Sequence, residues 1–258
     1  MLELLPDDIH LWFTFVDEVQ GDELLLRYRA LLTKEERYKE QQFHFQKDGH
    51  RYLLTRALVR TVLSRYVPMA PEHWVFLQNS FGKPAIGNDI PIAEKIEFSI
   101  SHTAGLIVCG VRSKGALGVD IENLHSRPAP LNIANAYFSA MEKEALSLLP
   151  PELQIERFFQ YWTLKESYIK ARGLGLSIPL DEFSFHFPKP DQVRFSVSQQ
   201  LEDQPSNWRF WQLRPSKDHL ASICAKRTAN DCQQLVIRQV IPFKSEIRLD
   251  HMPVLASG

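Results

Sequence analysis

A pattern that recurs 106 residues later constrains this chain more than any other feature. Thr33 followed by Glu36, and Ser139 followed by Glu142, both have the form of a capping box, in which a hydroxyl and a carboxylate three residues apart satisfy each other's backbone N–H groups at a helix start. The spacing from Thr33 to Ser139 equals that from Arg51 to Arg157, and each arginine opens a stretch of helical hydrophobic period. The first stretch carries Leu53, Ala57, Leu58, Val62 and Leu63 and predicts a helix over roughly Arg51 to Tyr66, before Pro68. In the second, Phe158, Tyr161, Leu164, Tyr168 and Ile169 lead to Gly173, a natural helix stop. Strand-like runs frame both helices. A largely buried strand is expected from His10 to about Asp17, and short ones at Val75–Leu77, Phe98–Ile100, Leu106–Val111 and Leu117–Ile121. Phe183–Phe187 and Leu220–Cys224 resemble the earlier runs Trp74–Leu77 and Leu106–Val111. A repeat of this kind reflects repeated units, so the reading is an α+β fold of two similar lobes meeting at a cleft. The length of 258 residues fits two repeats plus ends, with lobes at 1–116 and 117–227 and a C-terminal extension at 228–258 that carries no readable motif beyond an edge strand and a loose tail.

Composition narrows the function classes. With 44% hydrophobic residues the chain is neither disordered nor fibrous. A formal net charge of -1 argues against a general nucleic-acid binder, whose affinity would rest on uncompensated Lys and Arg. No basic segment leads an apolar stretch at the start, and the apolar runs are far shorter than the roughly 18 residues of a membrane span, so a cytoplasmic protein without a membrane role is expected. Cys109, Cys224 and Cys232 lack metal-ligand spacing and read as buried structural thiols. Neutrality overall conceals asymmetry: Thr33 to Arg65 is locally basic and Asp120 to Glu156 locally acidic.

The chemistry-bearing segments follow from this asymmetry. In Gly118-Val119-Asp120-Ile121-Glu122, strand alternation would turn both carboxylates to one face, where two oxygen ligands suit Mg²⁺. Such a pair alone is most often an ordinary surface feature, so it needs company. Glu166 and Lys170, four residues apart on the expected second helix, present a carboxylate and an ammonium on one face. Ser101 and His102 follow a strand; as sequence neighbours they point apart, which favours phosphate binding over a nucleophile and its base. Phe81-Gly82-Lys83-Pro84 reads as a turn that presents a lysine, and Gly173-Leu174-Gly175 as a helix stop instead of a nucleotide loop.

Taken in order, Gly82-Lys83-Pro84, Phe98-Ser99-Ile100-Ser101-His102, Gly118-Val119-Asp120-Ile121-Glu122 and Trp162-Thr163-Leu164-Lys165-Glu166-Ser167-Tyr168-Ile169-Lys170 closely resemble the 4′-phosphopantetheinyl transferases of the longer, surfactin-synthetase-activator type. The resemblance spans about His10 to Lys226. It implies two pseudo-symmetric lobes, each a small mixed or antiparallel sheet packed on a long helix, with the active site at their interface. It also implies transfer of the phosphopantetheine arm of coenzyme A to a serine of an apo acyl or peptidyl carrier protein, with release of adenosine 3′,5′-bisphosphate; a two-lobed chain that forms its cleft internally has no need to dimerise, so a monomer is expected. By matching position, Asp120, Glu122 and Glu166 would hold Mg²⁺, with Glu166 also the base and Lys165 a second catalytic candidate. Lys83, Pro84, Ser101 and His102 would contact coenzyme A, with Lys39 and Arg51 on its 3′-phosphate and Lys170 on its pyrophosphate. Several relatives carry a basic residue where this chain has Glu36, so a thinner 3′-phosphate clamp is expected.

Two other readings compete. The same carboxylates could serve a Mg²⁺-dependent phosphodiester or pyrophosphate hydrolase, with water replacing serine. A non-catalytic binding module would keep them for structure alone.

Overall fold

The computed structural model describes residues 1–126, 131–229, 232–250 and 255–257. The first half runs β1 (Asp8–Phe15), α1 (Asp22–Ala30), α2 (Lys34–Gln41), α3 (Gln46–Leu63), the hairpin β2 (Phe76–Gln78) and β3 (Pro84–Ile86), then β4 (Ile96–Thr103) and β5 (Leu106–Ser113). The second half restates it as β6 (Leu117–Asn123), α4 (Leu131–Tyr137), α5 (Ala140–Ser147), α6 (Pro151–Arg172), β7 (Phe183–Lys189), β8 (Gln192–Val197), β9 (Trp208–Ser216) and β10 (His219–Lys226). The strands β11 (Gln234–Ile241), β12 (Ser245–Leu249) and β13 (Leu255–Ala256) follow.

Both capping boxes form. The Glu36 and Glu142 N–H groups donate to the Thr33 and Ser139 hydroxyls, and each carboxylate accepts the cap residue's own N–H at 3.0 Å. They start α2 and α5, the short helices ahead of the long ones. Both long helices begin earlier than expected, α3 at Gln46 and α6 at Pro151. Neither has a side-chain cap to mark its start: the N-cap residues are Phe45 and Pro150. Gly173 ends α6 as expected, with φ of 68° and its N–H on the Ile169 carbonyl.

The strand pairings express the repeat directly. In one sheet β5 lies between β1 and β4, antiparallel to both; in the other β10 lies between β6 and β9, antiparallel to both. Alternation along each strand builds four layers. On β1 and β5, Trp12, Ile107, Cys109 and Val111 pack with Leu53, Ala57 and Leu58 of α3, while Leu11, Phe13, Leu106 and Val108 pack with Val119, Ile121, Ala221 and Ile223 of the second sheet. The outer face of that sheet carries the aromatic cluster of Phe158, Tyr168, Phe183, Phe185 and Phe210 around α6.

β4 and β6 meet through a ladder of hydroxyls. The backbone N–H groups of Val119, Ile121 and Asn123 donate to the side chains of Ser99, Ser101 and Thr103 at 3.0, 3.3 and 3.1 Å. The segment after residue 228 is more tightly tied than expected. β11 pairs in parallel with β1, β12 forms that sheet's edge, and β13 lies between β8 and β9 of the second sheet. The expected loose tail is thus corrected over Leu255–Ala256, while residues 251–254 and 258 lie outside the described residues. Cys109 and Cys224 are buried as expected, whereas Cys232 is exposed. Among the described residues, no helix is long and apolar enough to cross a membrane.

Candidate active site

The site begins at a glycine. A Cβ at Gly118 would fall inside contact distance of the Ser167 carbonyl oxygen and the Ala171 nitrogen, so β6 can lie directly on the α6 backbone only because residue 118 has no side chain. Period-two alternation then turns Asp120 and Glu122 to the face that meets α6, beside Glu166 and Lys170 one helical turn apart.

Lys170 Nζ is 2.7 Å from Asp120 Oδ1 and donates to Ser101 Oγ at 2.9 Å. Ser101 in turn donates to Asp120 Oδ1 at 2.9 Å. Asp120 is 5% exposed, and its second oxygen, Oδ2, is buried without a hydrogen-bond partner. Thr103 Oγ1 donates to Glu122 Oε2 at 3.4 Å. Burial and then the Asp120 charge push the Glu166 carboxyl up to about 7, Lys170 opposing and Glu122 adding to the rise.

An all-oxygen donor set, a buried carboxylate oxygen lacking a partner and a carboxyl crowded by two others fit a hard divalent cation. The carboxylates are not gathered into a cage: among the described residues no group of three or more His, Cys, Asp or Glu side chains is placed to hold a metal ion. The Lys170 ammonium instead neutralises Asp120.

Two adjoining cavities flank this cluster. The larger, ≈ 840 Å³, is bordered by Lys39, Arg51, Ser101, His102, Asp120 and Glu122. The smaller, ≈ 320 Å³, is bordered by Phe81, Lys83, Glu166, Ile169 and Leu176. Pro84, Ile100 and Lys170 border both. A separate ≈ 650 Å³ groove beside Val193 and Trp208 contains none of these groups.

Every catalytic, metal or coenzyme A candidate named from the sequence except Lys165 therefore lines one or both of these adjoining cavities. Arg51 is held by Asp48 at 2.8 Å, Lys39 lies 5.5 Å from the Tyr52 ring centre, and Lys83 pairs with Glu97 at 2.5 Å. Removal from bulk water, then the field of Arg51, keeps the His102 imidazole below its ordinary range although the residue as a whole is exposed. The expected turn at Phe81–Pro84 reaches across to the end of α6, where Asn79 Nδ2 donates to the Gly173 carbonyl at 2.7 Å.

Lys165 is a correction. It is 0% exposed and points into the second lobe, with Nζ 2.8 Å from Glu142 Oε2 and donating to the carbonyls of Leu180 and Phe183 at 2.7 Å. Next to Glu166 in sequence, it is turned by about 100° around the helix, away from the cleft. Its role is to anchor α5 and β7 to α6.

Sequence reasoning did not assign Arg56 to the site and did not foresee the partners of Glu36. Both border the larger cavity, and Glu36 bridges Arg56 and Arg60 of α3, the latter at 2.7 Å, besides closing its capping box. Burial works against the Glu36 charge, but Arg56, the Thr33 N–H and Arg60 outweigh it and hold the carboxyl below its usual range. The hydroxyl ladder was visible only as Ser99, Ser101 and Thr103 at alternate positions.

Comparison with known proteins agrees with this geometry. Residues 116–224 match the family model of the 4′-phosphopantetheinyl transferase superfamily, and residues 21–113 match that of the 4′-phosphopantetheinyl transferase N-terminal region. The chain is 35% identical to 4′-phosphopantetheinyl transferase Sfp of Bacillus subtilis over 71% of its own length and 79% of the relative's. It is 37% identical to another Bacillus subtilis 4′-phosphopantetheinyl transferase over 66% and 73%, and 29% identical to 4′-phosphopantetheinyl transferase HetI of Nostoc sp. over 86% and 89%. With the carboxylates of β6 and α6 set in a cleft that Lys39, Arg51 and Lys170 also border, and both halves of the sequence matched, the chain belongs to the 4′-phosphopantetheinyl transferase superfamily, in its Sfp-type branch.

Proposed function

We propose that the cleft binds coenzyme A and transfers its phosphopantetheine arm to a serine of an apo acyl or peptidyl carrier protein, releasing adenosine 3′,5′-bisphosphate. The observation that carries this reading is the meeting of Asp120, Glu122 and Glu166 with Lys170 at the junction of a larger cavity lined by charged side chains of both signs and a smaller, apolar one. Lys39 and Arg51 border the larger cavity and suit the 3′-phosphate, while His102, Ser101, Lys83 and Lys170 suit the pyrophosphate. The smaller pocket, walled by Phe81, Ile169 and Leu176, suits the uncharged arm.

Asp120, Glu122 and Glu166 would hold Mg²⁺, which supplies Lewis-acid neutralisation of the pyrophosphate oxygens. Glu166, on the wall shared with the apolar pocket, takes the serine proton directly or through one water. The serine Oγ forms a bond to the β-phosphorus as the bond to the bridging oxygen breaks, and the electron pair leaves on the adenosine bisphosphate. Lys170 and His102 stabilise the charge that builds there. One chain supplies both walls of the cleft, which suits a monomer acting where coenzyme A and carrier proteins meet, in the cytoplasm.

The deciding experiment incubates the protein with coenzyme A, Mg²⁺ and a panel of apo carrier proteins and weighs each carrier. The transferase reading expects a gain of one phosphopantetheine on at least one carrier, lost in Glu166→Gln with the fold retained. Cleavage of coenzyme A at the same rate without any carrier would replace it with the hydrolase reading.

A further inference from the structure

Lys170 sits where a divalent cation would have to compete with it. Its ammonium is 2.7 Å from Asp120 Oδ1 and bonded to Ser101 Oγ, which is itself bonded to the same carboxylate oxygen. The Lys170 side chain is 29% exposed and the Asp120 side chain only 8%, so the ammonium is the solvent-facing member of the pair. Lys170 also borders both cavities, and the remaining oxygen of Asp120 is buried. A cation approaching Oδ1 from the cleft meets a like charge already in place, and the repulsion between them is only partly screened in a half-buried cleft.

We infer that Lys170 also blocks the metal position in the free enzyme and leaves it when the pyrophosphate of coenzyme A draws the ammonium outward. This rests on the reading of Asp120, Glu122 and Glu166 as the metal-holding carboxylates. The swap needs no large movement. The ammonium exchanges one anionic partner, a carboxylate, for another, a phosphate, on a flexible four-carbon stem. The vacated Oδ1 becomes available for the cation. Metal and coenzyme A then bind with positive coupling, and by linkage each raises the other's affinity by the same factor. The free enzyme is kept from holding a tightly bound metal, and the metal site is completed only around substrate.

The test reads metal binding instead of turnover. Mn²⁺ is titrated into the protein and followed by electron paramagnetic resonance, with and without coenzyme A and always without carrier, so that no transfer occurs. Wild type should bind weakly alone and more tightly with coenzyme A. Lys170→Met should bind Mn²⁺ about tenfold more tightly than wild type in the absence of coenzyme A, because one like charge next to the ligand is gone, and should gain less on adding it. Lys170→Arg, which keeps the charge, should stay near wild type, and Asp120→Asn should lose binding in both conditions. If Lys170→Met binds Mn²⁺ no better than wild type while Asp120→Asn still abolishes binding, the blocking role is wrong and the carboxylate reading survives. If Asp120→Asn leaves Mn²⁺ binding unchanged, the carboxylate reading fails and this inference with it.

Discussion

Gly118 lies against the backbone of Ser167 with no room for a side chain between them. This contact sets β6 on α6 and brings Asp120 and Glu122 to Glu166 and Lys170. A methyl group there meets backbone on the helix side, which cannot rotate away, so the strand and the helix must separate. Gly118→Ala should therefore destabilise by about 3 kcal/mol, the upper end of the usual overpacking range, and should lower transfer activity even below the unfolding temperature. Urea unfolding read beside single-turnover transfer checks both. An unchanged midpoint would show that the helix yields without penalty.

The hydroxyl ladder makes a different prediction about the same interface. β6 is the edge of its sheet, and Val119 and Asn123 direct their N–H groups at Ser99 and Thr103 of the other lobe instead of at a strand. Ser99→Ala removes the acceptor and leaves a buried N–H unpaired, which costs about 1–3 kcal/mol. Thr103→Val should cost less, since Asn123 lies nearer the strand end and is partly exposed. Amide hydrogen exchange provides the local check: the Val119 amide should lose protection in Ser99→Ala, and retention of protection would mean that another group accepts it.

Lys165 and Glu166 should separate cleanly on substitution. Lys165 and Glu142 are both 0% exposed and form an ion pair whose other bonds reach the Ser139, Leu180, Phe183 and Phe185 backbones. Removing one partner strands a buried charge, so Lys165→Ala and Glu142→Ala should each destabilise by about 3–5 kcal/mol, whereas replacing the pair together should cost less than the sum. Glu166→Gln should leave the unfolding midpoint within about 0.5 kcal/mol of wild type, or raise it, because it relieves crowding among three carboxylates. A stable Lys165→Ala variant with lost transfer would return Lys165 to the cleft.

These variants also mark where sequence reasoning succeeded and where it stopped. The capping boxes at Thr33 and Ser139 were legible because their partners are three residues apart and need only local geometry. The alternation Gly118-x-Asp120-x-Glu122 and the spacing of Glu166 and Lys170 were legible for the same reason, since period two and period 3.6 decide which residues share a face. Which face of α6 turns to the cleft was not. Lys165 and Glu166 differ by one step around the helix, and their fates depend on whether β6 or β7 packs there. The partners of Glu36 were not legible either, because its ties to Arg56 and Arg60 bridge two helices at sequence separations of 20 and 24. β11 was opaque because its place beside β1 is set by a pairing more than 220 residues apart in sequence, as in Ile9 with Leu235.

His10 gives a pH dependence whose direction follows from its surroundings. It is 3% exposed on β1, with Nδ1 2.7 Å from the Tyr66 hydroxyl and Nε2 3.5 Å from Asp8. Tyr66 already accepts the Trp12 indole N–H at 2.9 Å, so its own proton is free to go to Nδ1, which must then be the unprotonated nitrogen of a neutral ring. Burial, and then Arg238, lower the imidazole to about 4 from an ordinary 6.5, with Asp8 opposing and Arg248 reinforcing the shift. The folded-state value lies below the unfolded one, so between those two values the unfolded chain binds more protons and stability falls as pH falls. His10 contributes its full share above about pH 6.5 and loses up to about 3 kcal/mol by pH 4. His10→Gln can still accept from Tyr66 but does not titrate. Urea unfolding of both proteins at pH 7.5 and pH 4.5 isolates the effect, because every other titrating group is shared. Wild type should lose about 2 kcal/mol more than the variant across that interval, and equal losses would mean that His10 is protonated in the folded protein at pH 4.5 without penalty.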